Sequence, residues 1–269
     1  MTATAERPGA NQVALKRRDD VLTFVGKYAE EIEKLAPRGY TADYLIASLR
    51  LYSAQNPKLL ECKPLSIAQG VLRVAQTGLT LGVSCDLLPF KDVCQFSPRY
   101  TGIVELALAS GTRAINLGVV REGDYFEFRK GTTMYLEHRP IGKSTAEVTF
   151  GYAMAEVKQG SFSLEVMTRE AIDAHRKRWS KSWWWINPKN HAEGVIPLEE
   201  VPWYAKKTPM RQLSNVLPKN PRLAAALIFD KALEDEEIPE GEFEIEHEEE
   251  VRRPLEEAEF QDDRDMENQ

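Results

Sequence analysis

Between residues 148 and 166 the chain alternates. Val148, Phe150, Tyr152 and Met154 are spaced two apart, and after Lys158-Gln159-Gly160-Ser161 the spacing resumes at Phe162, Leu164 and Val166. A period of two does not suit a helix. It predicts a long antiparallel hairpin with one buried face. Because a two-stranded hairpin is marginal by itself in water, the remainder of the chain must supply further strands or helices to cover it.

Those partners are legible on both sides. Upstream, Val21, Leu22, Val25, Tyr28, Ile32 and Leu35 recur at helical steps from Asp19, and Pro37-Arg38-Gly39 ends the pattern. Thr41 is a suitable cap for a second helix reaching Ala54. A third spans about Ser66 to Thr77, with Ile67, Val71 and Val74 on one face and Gly78 as its stop. DLLPF and VCQFS flank Lys91-Asp92 as a hairpin, and YTGIVELALAS reads as a short helix ended by Gly111. TRAINLGVVREGD, YFEFRK and TMYLEHR read as strands. Downstream, Thr168 caps a helix with Glu170 in its first turn and His175, Arg176, Lys177 and Arg178 in its last, complementing the helix dipole at both ends. A tryptophan segment and a Pro/Asn/Gly-containing loop follow. In VPWYAKKTPMRQLSNVL, Thr208 as cap with Pro209 at the first helical position avoids a kink; a continuous helix interrupted at Pro209 is the alternative. PRLAAALIFDKAL forms the last helix. The expected fold class is α+β: N-terminal helices, a central antiparallel sheet with hairpins packed on helices, C-terminal helices and a disordered acidic tail.

Charge divides the chain more sharply than its net value of −7 suggests. Residues 231–269 carry 4 Lys/Arg against 18 Asp/Glu, or −14, which leaves residues 1–230 at +7. Such asymmetry points to a polyanionic partner for the basic part. The expected organisation is a flexible arm over 1–18, one folded body over 19–230, and the end of the last helix with the acidic tail over 231–269, which lacks the apolar content to fold alone. No apolar run approaches membrane-spanning length, and the N-terminus has no apolar stretch behind its cations, so a cytoplasmic protein is expected. Cys62, Cys85 and Cys94 lack C-x-x-C spacing and read as reduced thiols.

Catalytic signatures are missing. Gly142-Lys143-Ser144 has Glu137 where a phosphate-binding loop needs glycine, and it falls between two strands rather than between a strand and a helix. His138, His175, His191 and His247 share no ligand spacing. Glu199/Glu200 and Asp19/Asp20 read as solvated helix starts rather than acid–base pairs. A metal-dependent nuclease assembled from scattered carboxylates is the alternative function, and a sequence-specific duplex-binding regulator would need a recognition helix that the sequence does not offer.

What is present is a basic, aromatic segment. From Arg176 to Arg211 lie eight cations (Arg176, Lys177, Arg178, Lys181, Lys189, Lys206, Lys207, Arg211) and three acids (Glu193, Glu199, Glu200). Trp179, Trp183, Trp184, Trp185, Trp203 and Tyr204 are interleaved with them. Single-stranded nucleic acid asks for both ingredients, cations along the phosphates and flat rings under unpaired bases. Dipole complementation alone would explain Arg176–Arg178, and Trp203 is better suited to packing because it begins a helix with an apolar face. Three consecutive tryptophans in a loop cannot all enter one core, so Trp183, Trp184 and Trp185, with Trp179, are candidates for stacking or for a subunit interface.

Four segments in order, LSIAQGVLRVAQTGLTLG, LLPFKDVCQFSPRYTGIVELALASG, VVREGDYFEF, and HRKRWSKS followed by YAKKTPMRQLSNVLP, resemble the RecT family of phage-type single-strand annealing recombinases, relatives of the Redβ group. The similarity runs from about Leu65 to Leu217. It implies an annealing core over 19–230 that binds single-stranded DNA without ATP, anneals complementary strands through a duplex intermediate and assembles as a homo-oligomeric ring or helical filament. No cofactor is implied beyond Mg²⁺ carried by the DNA. A 5′–3′ exonuclease and a host single-strand-binding protein are the implied partners, in the cytoplasm of a bacterial host with a phage or prophage source. Carried over by position, the DNA-groove candidates are Lys91, Arg99, Tyr100, Arg113, Arg121, Arg176, Lys177, Arg178, Lys181, Lys206, Lys207 and Arg211. No catalytic or metal-binding residue is implied.

Overall fold

A computed structural model describes residues 10–141, 144–179, 184–186 and 193–235. The first helices are α1 (Ala10–Gly26), α2 (Ala29–Leu35) and α3 (Ala42–Gln55), followed by a 3₁₀ turn over Pro57–Glu61 and α4 (Pro64–Thr77). Helix α1 therefore begins inside the stretch expected to be a flexible arm. The helix expected from Asp19 to Leu35 is two helices, because a turn after Gly26 lets Lys27 and Tyr28 donate to Phe24 and Val25 instead of continuing. Thr41 caps α3, its hydroxyl accepting from the Tyr44 amide at 3.1 Å. On α4, Ile67, Val71 and Val74 are buried with Ala68 and Ala75, and Gly78 ends the helix at φ +64°. Arg222 binds that C-terminus, donating to the carbonyls of Thr77 (2.6 Å) and Gly78 (3.1 Å).

Strands β1 (Cys85–Phe90) and β2 (Val93–Pro98) form the expected hairpin about Lys91-Asp92, and α5 (Tyr100–Ala109) follows. The central sheet consists of β3 (Ala114–Arg121), β6 (Val148–Lys158) and β7 (Ser161–Thr168), antiparallel and ordered β3-β6-β7. Between β3 and β6 the chain makes a second hairpin, β4 (Tyr125–Arg129) with β5 (Tyr135–Arg139). After the sheet come α6 (Arg169–Trp179), the short pair β8 (Trp184–Ile186) and β9 (Glu193–Val195), α7 (Tyr204–Ser214) and α8 (Pro221–Asp235). The backbone of Trp184 and Trp185 is thus a strand, not the loop expected. No described helix is long and apolar enough to cross a membrane. Cys62, Cys85 and Cys94 are buried and form no disulfide.

The β6 alternation has a different meaning from the one expected. The helix-facing core takes its small residues, Ala153 and Ala155, both fully buried, together with Gly151. The large residues Phe150 and Tyr152 face the opposite way, where Phe126 lies 5.4 Å from the Phe150 ring and 5.8 Å from the Tyr152 ring. Both faces of the sheet are covered, so the period of two separates large from small rather than inside from outside.

The reason is the close approach of α7. A Cβ on Gly151 would lie 1.9 Å from the Ala205 carbonyl oxygen. That carbonyl sits four residues before Pro209, which has no N–H to return to it, so the helix leaves it directed at β6. Pro209 is in the interior of α7, and Thr208 is a buried helical residue rather than a cap. Of the two sequence alternatives the start at Pro209 is the one corrected: the helix runs on from Tyr204.

Candidate nucleic-acid interface

Strand β3 is one of the two edge strands of the central sheet, and its residues line a cleft of about 470 Å³. Leu117, Gly118 and Val119 of β3 are among its lining residues. From α5 comes Tyr100, from the turn before α7 Pro202 and Trp203, from α7 Lys206, from the end of β3 Arg121, from β5 His138 with Pro140 just after it, and from β6 Tyr152. Tyr152 lies opposite Gly118 in the sheet, and a Cβ on Gly118 would be 2.1 Å from the Tyr152 ring, so only glycine leaves room for that ring. Among the described residues lining the cleft none is acidic.

Several of its walls are fixed in place. His138 has one ring nitrogen 3.3 Å from the Tyr152 hydroxyl and the other 3.2 Å from Asp124. Asp124 also accepts from the backbone amides of Arg121 (2.9 Å) and Ile141 (2.8 Å), and those hydrogen bonds hold its carboxyl below the usual carboxylate range despite its burial. The Arg121 guanidinium donates to the Ala146 carbonyl at 2.7 Å, which sets its direction while leaving its charge uncompensated by that contact. Trp203 stacks on Tyr204 with centroids 3.8 Å apart, and the Lys207 ammonium lies 5.6 Å from the Trp203 centroid.

The other cations named from the sequence divide by environment. Arg176 is 1% exposed: it donates to Asp173 (2.8 Å) and to the Ile196 carbonyl (2.8 Å), with its guanidinium 5.1 Å from the Tyr204 centroid. Arg211 is paired with the buried Asp230. Arg176 is thus buried and Arg211 half-buried, each with its guanidinium engaged by a carboxylate of the fold. Arg99 makes a two-pronged contact with Asp86 (2.6 and 2.7 Å), and Arg113 lies 3.8 Å from Glu156, so each brings a carboxylate with it. Lys91 occupies the β1–β2 turn at φ +54°, and Lys177 and Arg178 are exposed at the end of α6, with Arg178 4.5 Å from the Trp179 ring centroid. Lys207 lies over Trp203 and Tyr204. Lys181 and Trp183, and the side chains of Trp184 and Trp185, lie outside the described residues.

The cleft therefore joins Tyr100, Arg121 and Lys206 of the predicted set. It adds Trp203, which the sequence assigned to packing, and His138 and Tyr152, for which it indicated no role. The Tyr152 signal was present in the alternation, but nothing in one sequence states that β5 folds over it. Glu199 was misread as well. It accepts from the Val148 amide at 2.7 Å and clamps Arg169, which draws its pKa down to about 2. It ties α6 to the start of β6 and is no solvated helix start. His175 faces the cations of α7: burial first, then Arg211 and Lys207, hold its pKa down to about 4. Among the described residues no group of His, Cys, Asp and Glu is placed to hold a metal.

The model of the RecT family matches residues 45–251. Protein RecT of Escherichia coli (strain K12) is 32% identical over 237 residues, covering 83% of this chain and 84% of that protein. The match takes in every element that contributes to the cleft.

Proposed function

Since this chain belongs to the RecT family of recombination and strand-annealing proteins, we propose that the β3 cleft is where it grips single-stranded DNA. The observation that carries this is the meeting of Arg121, Lys206 and Tyr100, far apart in sequence, in a ring-lined cleft whose described lining contains no acid. Cations hold the sugar-phosphate chain and rings offer faces to bases without a partner strand. Sequence recognition is left to Watson–Crick pairing with an incoming strand, so no base-specific contact is needed.

Annealing is downhill once two strands are held extended and aligned, and in this reading no nucleotide is hydrolysed and any Mg²⁺ arrives with the DNA. Each subunit holds a short stretch weakly, and a homo-oligomer, as a ring or filament, sums many such contacts into a firm grip. A 5′–3′ exonuclease would supply the single strand and a host single-strand-binding protein would occupy it beforehand.

The test mixes complementary oligonucleotides without ATP. Duplex formation should accelerate with the protein, and recovered strands should be intact in Mg²⁺ or Mn²⁺. Cleavage would instead favour the nuclease alternative. If a subunit neutralises about four phosphates, log K against log[salt] should have a slope of roughly −3.

A further inference from the structure

The proposed grip on the backbone requires only a charged surface, yet the β3 cleft is an open hollow of about 470 Å³, within the range of small-molecule sites and larger than a phosphate. Its rings come from four separate elements: Tyr100, His138, Tyr152 and Trp203. Cations stand among them, Arg121 and Lys206, and Leu117 and Val119 add apolar lining. A flat, apolar-faced ring attached to a phosphate chain is the ligand these features fit together.

We infer that the cleft takes in one base of the bound strand per subunit, stacked against Trp203, with Lys206 and Arg121 on the flanking phosphates. This rests on the reading of the cleft as the DNA site and goes beyond it by assigning one docked base per subunit and the ring that holds it. Trp203 is suited to the task because it is already ordered. Tyr204 backs it at 3.8 Å and Lys207 lies over it, so little freedom remains to be lost when a base arrives. Stacking here carries no base identity. Both ring nitrogens of His138 are engaged, by Asp124 and by the Tyr152 hydroxyl, so the imidazole has no free nitrogen with which to read a base edge. The docked base is withheld from pairing, and annealing starts on the bases between successive docked ones.

The experiment compares two short probes of equal length by fluorescence anisotropy: oligo-dT and an abasic deoxyribose-phosphate oligomer. The native chain should bind oligo-dT tighter by about 5- to 150-fold for each stacked base. Trp203→Ala should bring the two affinities together by weakening oligo-dT alone. Trp203→Phe, which keeps a ring and the fold, should restore most of the difference. Lys206→Ala should weaken both probes in proportion.

Equal binding of the two probes by the native chain overturns the base pocket while leaving the backbone grip intact. So does a Trp203→Phe variant that loses the difference though folded by circular dichroism. Tighter binding of free dTMP than of oligo-dT would make this a mononucleotide site and overturn it too. Failure of Lys206→Ala to weaken either probe strikes at the DNA reading of the cleft itself, and the base pocket falls with it.

Discussion

Arg176 and Lys206 come from one basic run and meet opposite fates. The Arg176 head is sealed beneath Ile196 and against Tyr204, whereas Lys206 opens onto the cleft. Arg176→Ala should cost about 2 kcal/mol or more in a urea titration, by loss of buried hydrogen bonds and packing, and leave the salt slope of DNA binding unchanged. Lys206→Ala should do the reverse, flattening the slope by about 0.7 with little effect on the urea midpoint. His175 supplies a pH signature. Its folded pKa of about 4 is below the ordinary histidine value, so the fold prefers its neutral form. The contribution is complete above about pH 6.5 and is lost as pH falls toward 4. Thermal midpoints should drop from pH 7 to pH 5, and His175→Gln should flatten that drop. Glu199 acts in a separate, lower window: its stabilisation is present above the ordinary glutamate value and lost as pH falls toward 2.

At the scale of elements, α7 carries the cleft. It holds Lys206 and follows directly on Trp203, and its distance from β6 is set by Gly151 meeting the Ala205 carbonyl. Gly151→Ala places a methyl where backbone already is, so it should cost about 1–3 kcal/mol and weaken DNA binding as α7 is pushed outward, read by urea titration and by anisotropy on one sample. The hairpins, the Thr41 and Thr168 caps and the Gly78 stop were legible because each depends on residues within a few positions. The place of Pro209 was not. Local rules favour proline at a helix start, and what retains it inside α7 is a carbonyl that can turn to glycine on another element.

For the molecule as a whole, the charge division sets the terms of binding. Residues 1–230 are at +7 while 231–269 carry −14. Truncation after Asp235 should tighten single-stranded DNA binding at low salt and make little difference at high salt, since the attraction it unmasks is long-ranged and screened. Unchanged low-salt affinity would show the tail to be electrostatically silent toward the cleft. The amino-acid order alone settled most of the element order, the β1–β2 and β6–β7 hairpins, the basic body with its acidic end and the likeness to an annealing family, because period, sign of charge and capping are properties of short stretches. Only the folded chain decided which face of β6 is core, that Arg176 is buried, and that Tyr100, Arg121, Tyr152 and Trp203 share one cleft. Solvent access belongs to whatever packs on a side chain, and those neighbours are brought in from distant parts of the sequence.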